Sequence, residues 1–234
     1  MSHLHAPDGV LPVWLWLAGL IIAGAMVSFS LFMTRRMDLK KKVPLLGMMS
    51  AMMLVGMSLE IVPIAYHVNL SVITGVILGP WLAIIAAFIV NFILSLAGHG
   101  GVTTVGLNTI IIGSEGVFGW LMFNALRKVL NPGASALITT YITLFISTCL
   151  MLFIVFIANV HLSSQGMAEV REILETPTAA KLLELFSLRQ GFNFRLFAIA
   201  AFGLGFIGWT IEAIVTSLAI KFISKVKPEI IGGT

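Results

Sequence analysis

Runs of about twenty apolar residues recur along this chain and end in clusters of Lys and Arg, and no other feature constrains the fold as tightly. A helix rising about 1.5 Å per residue needs about twenty residues to cross a hydrocarbon core of ~30 Å. Such runs in a soluble protein would leave more apolar surface than one core could bury. The composition agrees: 59% of residues are hydrophobic, 10% are charged, and the mean hydropathy is +1.05, against roughly 25% charged residues in ordinary soluble domains. No stretch alternates apolar and polar residues as a membrane barrel would require. The expected class is an all-α integral membrane protein, a single transmembrane domain over residues 1–234 with seven helices.

The charges fix the expected course of the chain. A first helix from about Leu11 to Met33 stops at Arg35 and Arg36, with Lys40, Lys41 and Lys42 close behind. Dense basic loops stay cytoplasmic, so the N-terminus is expected outside. A second helix, about Val43 to Ile64, returns outward and carries Gly47 and Ala51 at i, i+4, a small-residue face that suits close helix approach within this bundle or to a partner. Residues Val68 to Ala97 are interrupted by Gly79-Pro80. Read as one span they would place Arg127 and Lys128 outside, so two spans are expected. The first has only about 11 or 12 residues and must be sheltered by neighbours. The loop Gly98 to Thr104 then lies outside, a helix of about Val105 to Leu126 runs inward, and Asn131-Pro132-Gly133 marks a turn. A helix from about Ala136 to Val160 leads to an outer amphipathic segment, residues 161–193, with two short helices separated by Thr176-Pro177. The last helix, about Phe194 to Phe222, ends inside at Lys221, Lys225 and Lys227. Ten of the fourteen Lys and Arg residues fall in inner loops under this N-out, C-in scheme.

Charge and cysteine usage exclude other classes. The net charge of +4 and pI near 9.5 come from helix-end residues that orient a membrane protein, so no nucleic-acid partner is expected. Cys149 is the single cysteine and lies in an apolar run, which leaves neither a disulfide framework nor a cysteine metal cluster. The first apolar run lacks a basic n-region and a small-residue cleavage site, so residues 1–9 are expected to remain, apart from removal of Met1.

The topology places all five histidines, His3, His5, His67, His99 and His161, at the outer face. Imidazole is the commonest protein ligand for Ni, Cu, Co and Zn ions. In MSHLHAPDG the terminal amine, of Met1 or of Ser2 once Met1 is removed, stands next to His3 and close to His5. Amine, deprotonated amide and imidazole together form fused chelate rings suited to a square-planar ion. The same residues also read as a solvated tail, His67 as an interfacial residue bonded to a loop carbonyl, His99 as part of a tight glycine turn, and His161 as a surface residue. Three carboxylates lie within spans, Glu60, Glu115 and Glu212, where ionisable groups are costly. Glu60 is placed as an interfacial residue or an outer partner of a ligand. Glu115 and Glu212 are expected to bond to neighbouring helices, with a role in the metal route as the lesser alternative. Asn91 and Asn108 are polar positions able to orient ligands.

Four segments in order then resemble a known family, the substrate-binding (S) components of cobalt and nickel energy-coupling-factor (ECF) transporters of the CbiM/NikM type. HAPDGVLP resembles the family's His-Ile-Pro-Asp-Gly start, VPLLGMMSAMM its second-helix segment, GVILGPWLA its Leu-Gly-Pro-Trp turn, and GHGGVTTVGLN its Gly-Gly-Ile-Thr-x-Leu-Gly-x-Asn stretch. The resemblance covers most of residues 3 to 130. It implies a metal held by the terminal amine, the second residue's amide and imidazole, and a further histidine twelve residues before the Gly of Gly-Pro-Trp, which is His67 here. It also implies that the Gly47, Ala51, Val55 face docks a transmembrane coupling (T) subunit. The chain departs from the pattern in three places: three extra residues precede the family's position for His, occupied here by His5; His99 replaces an acidic residue; and Ile111 replaces an Asn. Either His3 or His5 can therefore pair with the amine.

The resulting expectation is a non-enzymatic S component in the inner or plasma membrane of a prokaryote, with lipid around it. It captures Ni2+ or Co2+ as transported substrate, without an organic cofactor. Asp8 braces the tip, with Asn108 and Glu60 as outer partners of the ligands. A T subunit, two ABC ATPases and a small accessory membrane subunit are the expected partners. An intramembrane zinc hydrolase using His67 and His99 is the runner-up, although no HExxH motif is present. A non-catalytic assembly subunit with a disordered tip is the third reading.

Overall fold

The computed structural model describes residues 8, 11–35, 37, 39–59, 67–173 and 194–231. Seven α-helices occur among them: α1 Val13–Thr34, α2 Leu39–Ser58, α3 Ser71–Leu78, α4 Pro80–Leu96, α5 Val105–Leu126, α6 Pro132–Ile173 and α7 Phe194–Val226. Four apolar helical stretches are long enough to cross a membrane, Val13–Thr34, Val102–Leu126, Pro132–Ala158 and Phe197–Val226, while α2 and α4 are shorter. The chain is thus a multi-pass, all-helical membrane protein. Large apolar side chains such as Ile21, Phe32, Phe153 and Leu218 point outward, as a lipid surround demands.

Helix α5 is the hub, packed by α1, α3, α4 and α6, and α6 lies along α7. The expected division at Gly79-Pro80 is present. Gly79 takes a left-handed φ of 85°, closed to residues with a β-carbon, and Pro80 opens α4, where its missing N–H costs nothing. Helix α3 has eight residues, all buried, so at about 12 Å it spans under half of a bilayer core. Its shelter is close: a β-carbon on Gly75 would overlap the carbonyl oxygen of Gly116 on α5. Two glycines let the backbones of α3 and α5 touch.

The ends of three helices differ from the sequence expectation. Helix α7 runs a turn past Phe222 to Val226. Helix α2 starts a turn early and ends at Ser58 rather than near Ile64. Helix α6 starts at Pro132, where Asn131 Oδ1 accepts the N–H of Ala134 at 2.9 Å, so the turn signal is also a helix cap with Pro at the first position. It then continues past Val160 to Ile173, absorbing most of the first amphipathic helix expected in 161–193. Residues 161–173 lack a proline, and Met, Ala, Glu, Arg and Leu are good helix formers. Residues 174–193 lie outside the described residues.

The two ends of the bundle are distinct. Phe29 near the end of α1 meets Trp81 at the start of α4, ring centroids 5.3 Å apart, and Arg127 after α5 donates to the carbonyl of Ile231 at 3.3 Å. Basic residues gather at that end. At the opposite end, Asp8 reaches the loop that leads into α5.

Candidate metal centre

His67 and His99 come from different loops and meet. His67 lies on a strap, residues 67–70, that leads into α3, and it is buried. His99 follows α4 and is exposed. Their ring centroids are 5.4 Å apart and the rings are nearly perpendicular, at 89°.

The placement of His99 follows from how α4 ends. Gly98 adopts φ 78°, and its N–H donates to the carbonyl of Ser95 at 3.1 Å while the N–H of His99 donates to that of Leu94 at 2.9 Å. These two bonds form a Schellman cap, which needs a glycine-like residue at the left-handed position. The glycine before His99 therefore aims it.

Asp8 joins the N-terminal tip to the same loop. Its Oδ1 accepts the backbone N–H of Thr103 at 2.9 Å and the Thr103 hydroxyl at 2.8 Å. A β-carbon on Gly101 would stand 2.5 Å from that oxygen and 2.8 Å from the Asp8 nitrogen, so only glycine admits the tip there. The Thr103 N–H, then its hydroxyl, hold the Asp8 carboxyl below its ordinary value, against a smaller opposing effect of desolvation. Beyond Asp8, Leu11 and Leu15 pack with Leu107 and Ile111, which ties the start of α1 to α5.

The expected site residues are thus partly assembled. Asp8, His67 and His99 stand at one end of the bundle, and Asn108 is buried one turn into α5. Asn91 is buried in α4 and donates to its own helix at Ala87 O, 2.7 Å. Met1, Ser2, His3, His5 and Glu60 lie outside the described residues, as does the side chain of His161. Among the described residues no group of three or more His, Cys, Asp or Glu side chains converges on a metal position. On α2, Met49, Met53 and Met57 face inward, whereas Gly47, Ala51 and Val55 are exposed. Among the described residues that stripe is left uncovered.

Below the histidines lies a polar cluster in which Asn69 was not singled out from sequence. Glu115 of α5 and Glu212 of α7 are fully buried. The hydroxyls of Ser71 and Ser147 donate to Glu115, as does Asn69 Nδ2 at 2.6 Å. Glu212 accepts the backbone N–H of Leu70 at 3.1 Å and that of Asn69 at 3.4 Å. Asn69 Oδ1 accepts the N–H of Ser71 at 2.9 Å, a local Asx-turn bond that leads into α3. The available signal was an Asn two residues before a Ser that opens an apolar run. Both carboxylates do bond to neighbouring elements, as expected.

The fold is that of a multi-pass helical membrane protein in which two imidazoles meet at one end of the bundle, and comparison with known proteins narrows that class. Residues 5–230 match the family model of the cobalt uptake substrate-specific transmembrane region, CbiM, and the chain belongs to that family. The CbiM 2 protein of Methanocorpusculum labreanum is 25% identical over 235 residues, covering 97% of this chain and 92% of its own length. The CbiM protein of Halobacterium salinarum is 27% identical over 93% of this chain and 99% of its own length. A crystal structure described as a transition metal transporter superposes with a TM-score of 0.73 at 20% identity, over 97% of this chain and 95% of that one. A truncated transition metal transporter gives 0.69 at 18% identity, over 97% and 99%. The chain is accordingly a transmembrane component of cobalt uptake in a prokaryotic membrane.

Proposed function

We propose that this chain is the substrate-capture subunit of an ECF-type importer, binding Co2+ or Ni2+ at the outer face and passing it inward. The observation that carries the reading is the meeting of His67 with His99 beside a loop to which Asp8 fastens the tip. The tip then supplies the remaining ligands: the terminal amine of Met1 or Ser2, and the imidazole of His3 or His5. Neutral imidazole and amine nitrogens suit late first-row divalent ions. Asp8 orients the tip, Asn108 and Glu60 support the ligands from behind, and residues 161–193 form an outer amphipathic cap over a single transmembrane domain.

The orientation is N-out, C-in. The basic residues that follow α1, α5 and α7 stand on the inner side under the positive-inside rule, and the histidine end faces out. The exposed Gly47, Ala51, Val55 stripe docks the T subunit, since small residues let a partner helix approach closely. Two ABC ATPases on that subunit supply the energy, and a small accessory membrane subunit completes the assembly. The chain itself carries out no covalent chemistry and needs no organic cofactor.

The test is Co2+ titration of the purified full chain. His67→Ala is expected to weaken binding by about 100-fold, the upper part of the range for disturbing a metal site. Binding unchanged in His67→Ala would move the site elsewhere.

A further inference from the structure

We propose that Glu212 and Glu115 are positioning residues that clamp the strap carrying His67, and so set the geometry of a ligand neither of them touches the metal beside. This rests on the reading of His67 as a metal ligand.

The strap, residues 67–70, is largely buried and belongs to no helix, so it needs to be held. Leu70 has φ 55° and ψ 20°, a left-handed conformation unfavourable for a residue with a β-carbon, which persists only where the surroundings enforce it. The N–H groups of Asn69 and Leu70 lie at the start of α3, where no helical carbonyl serves them, and hydrocarbon offers no water in exchange. Glu212 takes both. An anion is also well placed there, at the positive end of the α3 dipole.

Glu115 holds the other side. It accepts from the Asn69 side chain and from Ser71, and Ser147 of α6 anchors it in turn. Asn69 is therefore gripped twice, through its backbone by α7 and through its side chain by α5. On the opposite side, a β-carbon on Gly56 of α2 would overlap the carbonyl oxygen of Val68, so the strap has no room to retreat. Helices α5 and α7, both distant in sequence, and α2 together hold Val68, Asn69 and Leu70, and His67 adjoins Val68. A shift of α5 or α7 must move His67, whereas His99 rides on the separate cap of α4.

The experiment is Co2+ titration of the full chain in detergent, read as affinity and as the visible ligand-field spectrum of bound Co2+. Glu212→Leu removes the acceptor and is expected to weaken Co2+ by about tenfold or more and to alter the spectrum. Glu212→Gln keeps an oxygen for Leu70 N–H and is expected to return to within about threefold of wild type. Leu82→Ala, a buried cavity variant at the start of α4, on the end of α3 away from the strap, lowers the thermal midpoint and leaves affinity and spectrum unchanged. Should Glu212→Leu fail to fold, Asn69→Ala decides on the same criteria. Wild-type affinity and spectrum in Glu212→Leu or Asn69→Ala, with binding lost in His67→Ala, would overturn the clamp and leave the metal site standing. Wild-type binding in His67→Ala would overturn the metal assignment itself.

Discussion

The histidine end and the carboxylate level of this molecule lie on consecutive residues of one strap yet are built in opposite ways. At the histidine end the chemistry hangs on loops: a glycine cap aims His99, and Asp8 reaches across to Thr103 from an exposed position. At the carboxylate level the groups sit on long helices, fully buried, with their oxygens served by side chains and backbone from three other elements. In the first region a substitution removes a contact that water can replace. In the second it strands donors where water is scarce, at a cost well above the net worth of the bond. The proposed binding groups thus lie at one level and the buried hydrogen-bond network at the other, and the strap from His67 to Leu70 joins them.

Substitutions at the two levels should separate these roles. The largest change is expected for Glu115→Ala, which removes the acceptor shared by Ser71, Ser147 and Asn69. A loss of roughly 3 kcal/mol should appear as a lowered unfolding midpoint in detergent, and a midpoint equal to wild type would break the contrast. His99→Ala is expected to weaken Co2+ by about tenfold while the unfolding midpoint stays near wild type. A large fall in stability there would show that the outer loop carries more of the fold than its exposure suggests.

The smallest effect belongs to Asp8. Because Thr103 holds its folded carboxyl below the ordinary value, the tip attachment is complete above the ordinary carboxylate range and is lost as pH falls through the depressed value. Hydrogen exchange at the Thr103 amide, corrected for intrinsic rate, should show protection fading over that acidic window. Asp8→Ala should exchange faster throughout. Protection independent of pH and of Asp8 would detach the tip from this loop.

The sequence revealed the fold through local signals. Gly79-Pro80, with the parity of basic loops, divides α3 from α4 because proline and glycine act on the backbone where they stand. Gly98 betrays the end of α4 for the same reason. The end of α6 was less legible, since the chain leaves the apolar layer near Val160 without a residue that stops a helix, and polarity alone does not end one. Of the candidate site, the convergence of His67 with His99 was legible as a shared face and not as contact. The grip on Asn69 was invisible, because Glu115 and Glu212 lie 46 and 143 residues from it and only tertiary packing brings them there. The stripe Gly47, Ala51, Val55 left two readings open until the inward set Met49, Met53, Met57 settled which face of α2 the bundle covers.

In the proposed site the terminal amine of Met1 or Ser2 completes the metal coordination beside His67. Co2+ titration of the native chain against the same chain extended by two residues at its N-terminus tests it most directly. The extension displaces the amine from its chelate ring while leaving every histidine in place, and affinity is expected to fall by about tenfold or more. Equal affinity in the two forms would contradict the claim.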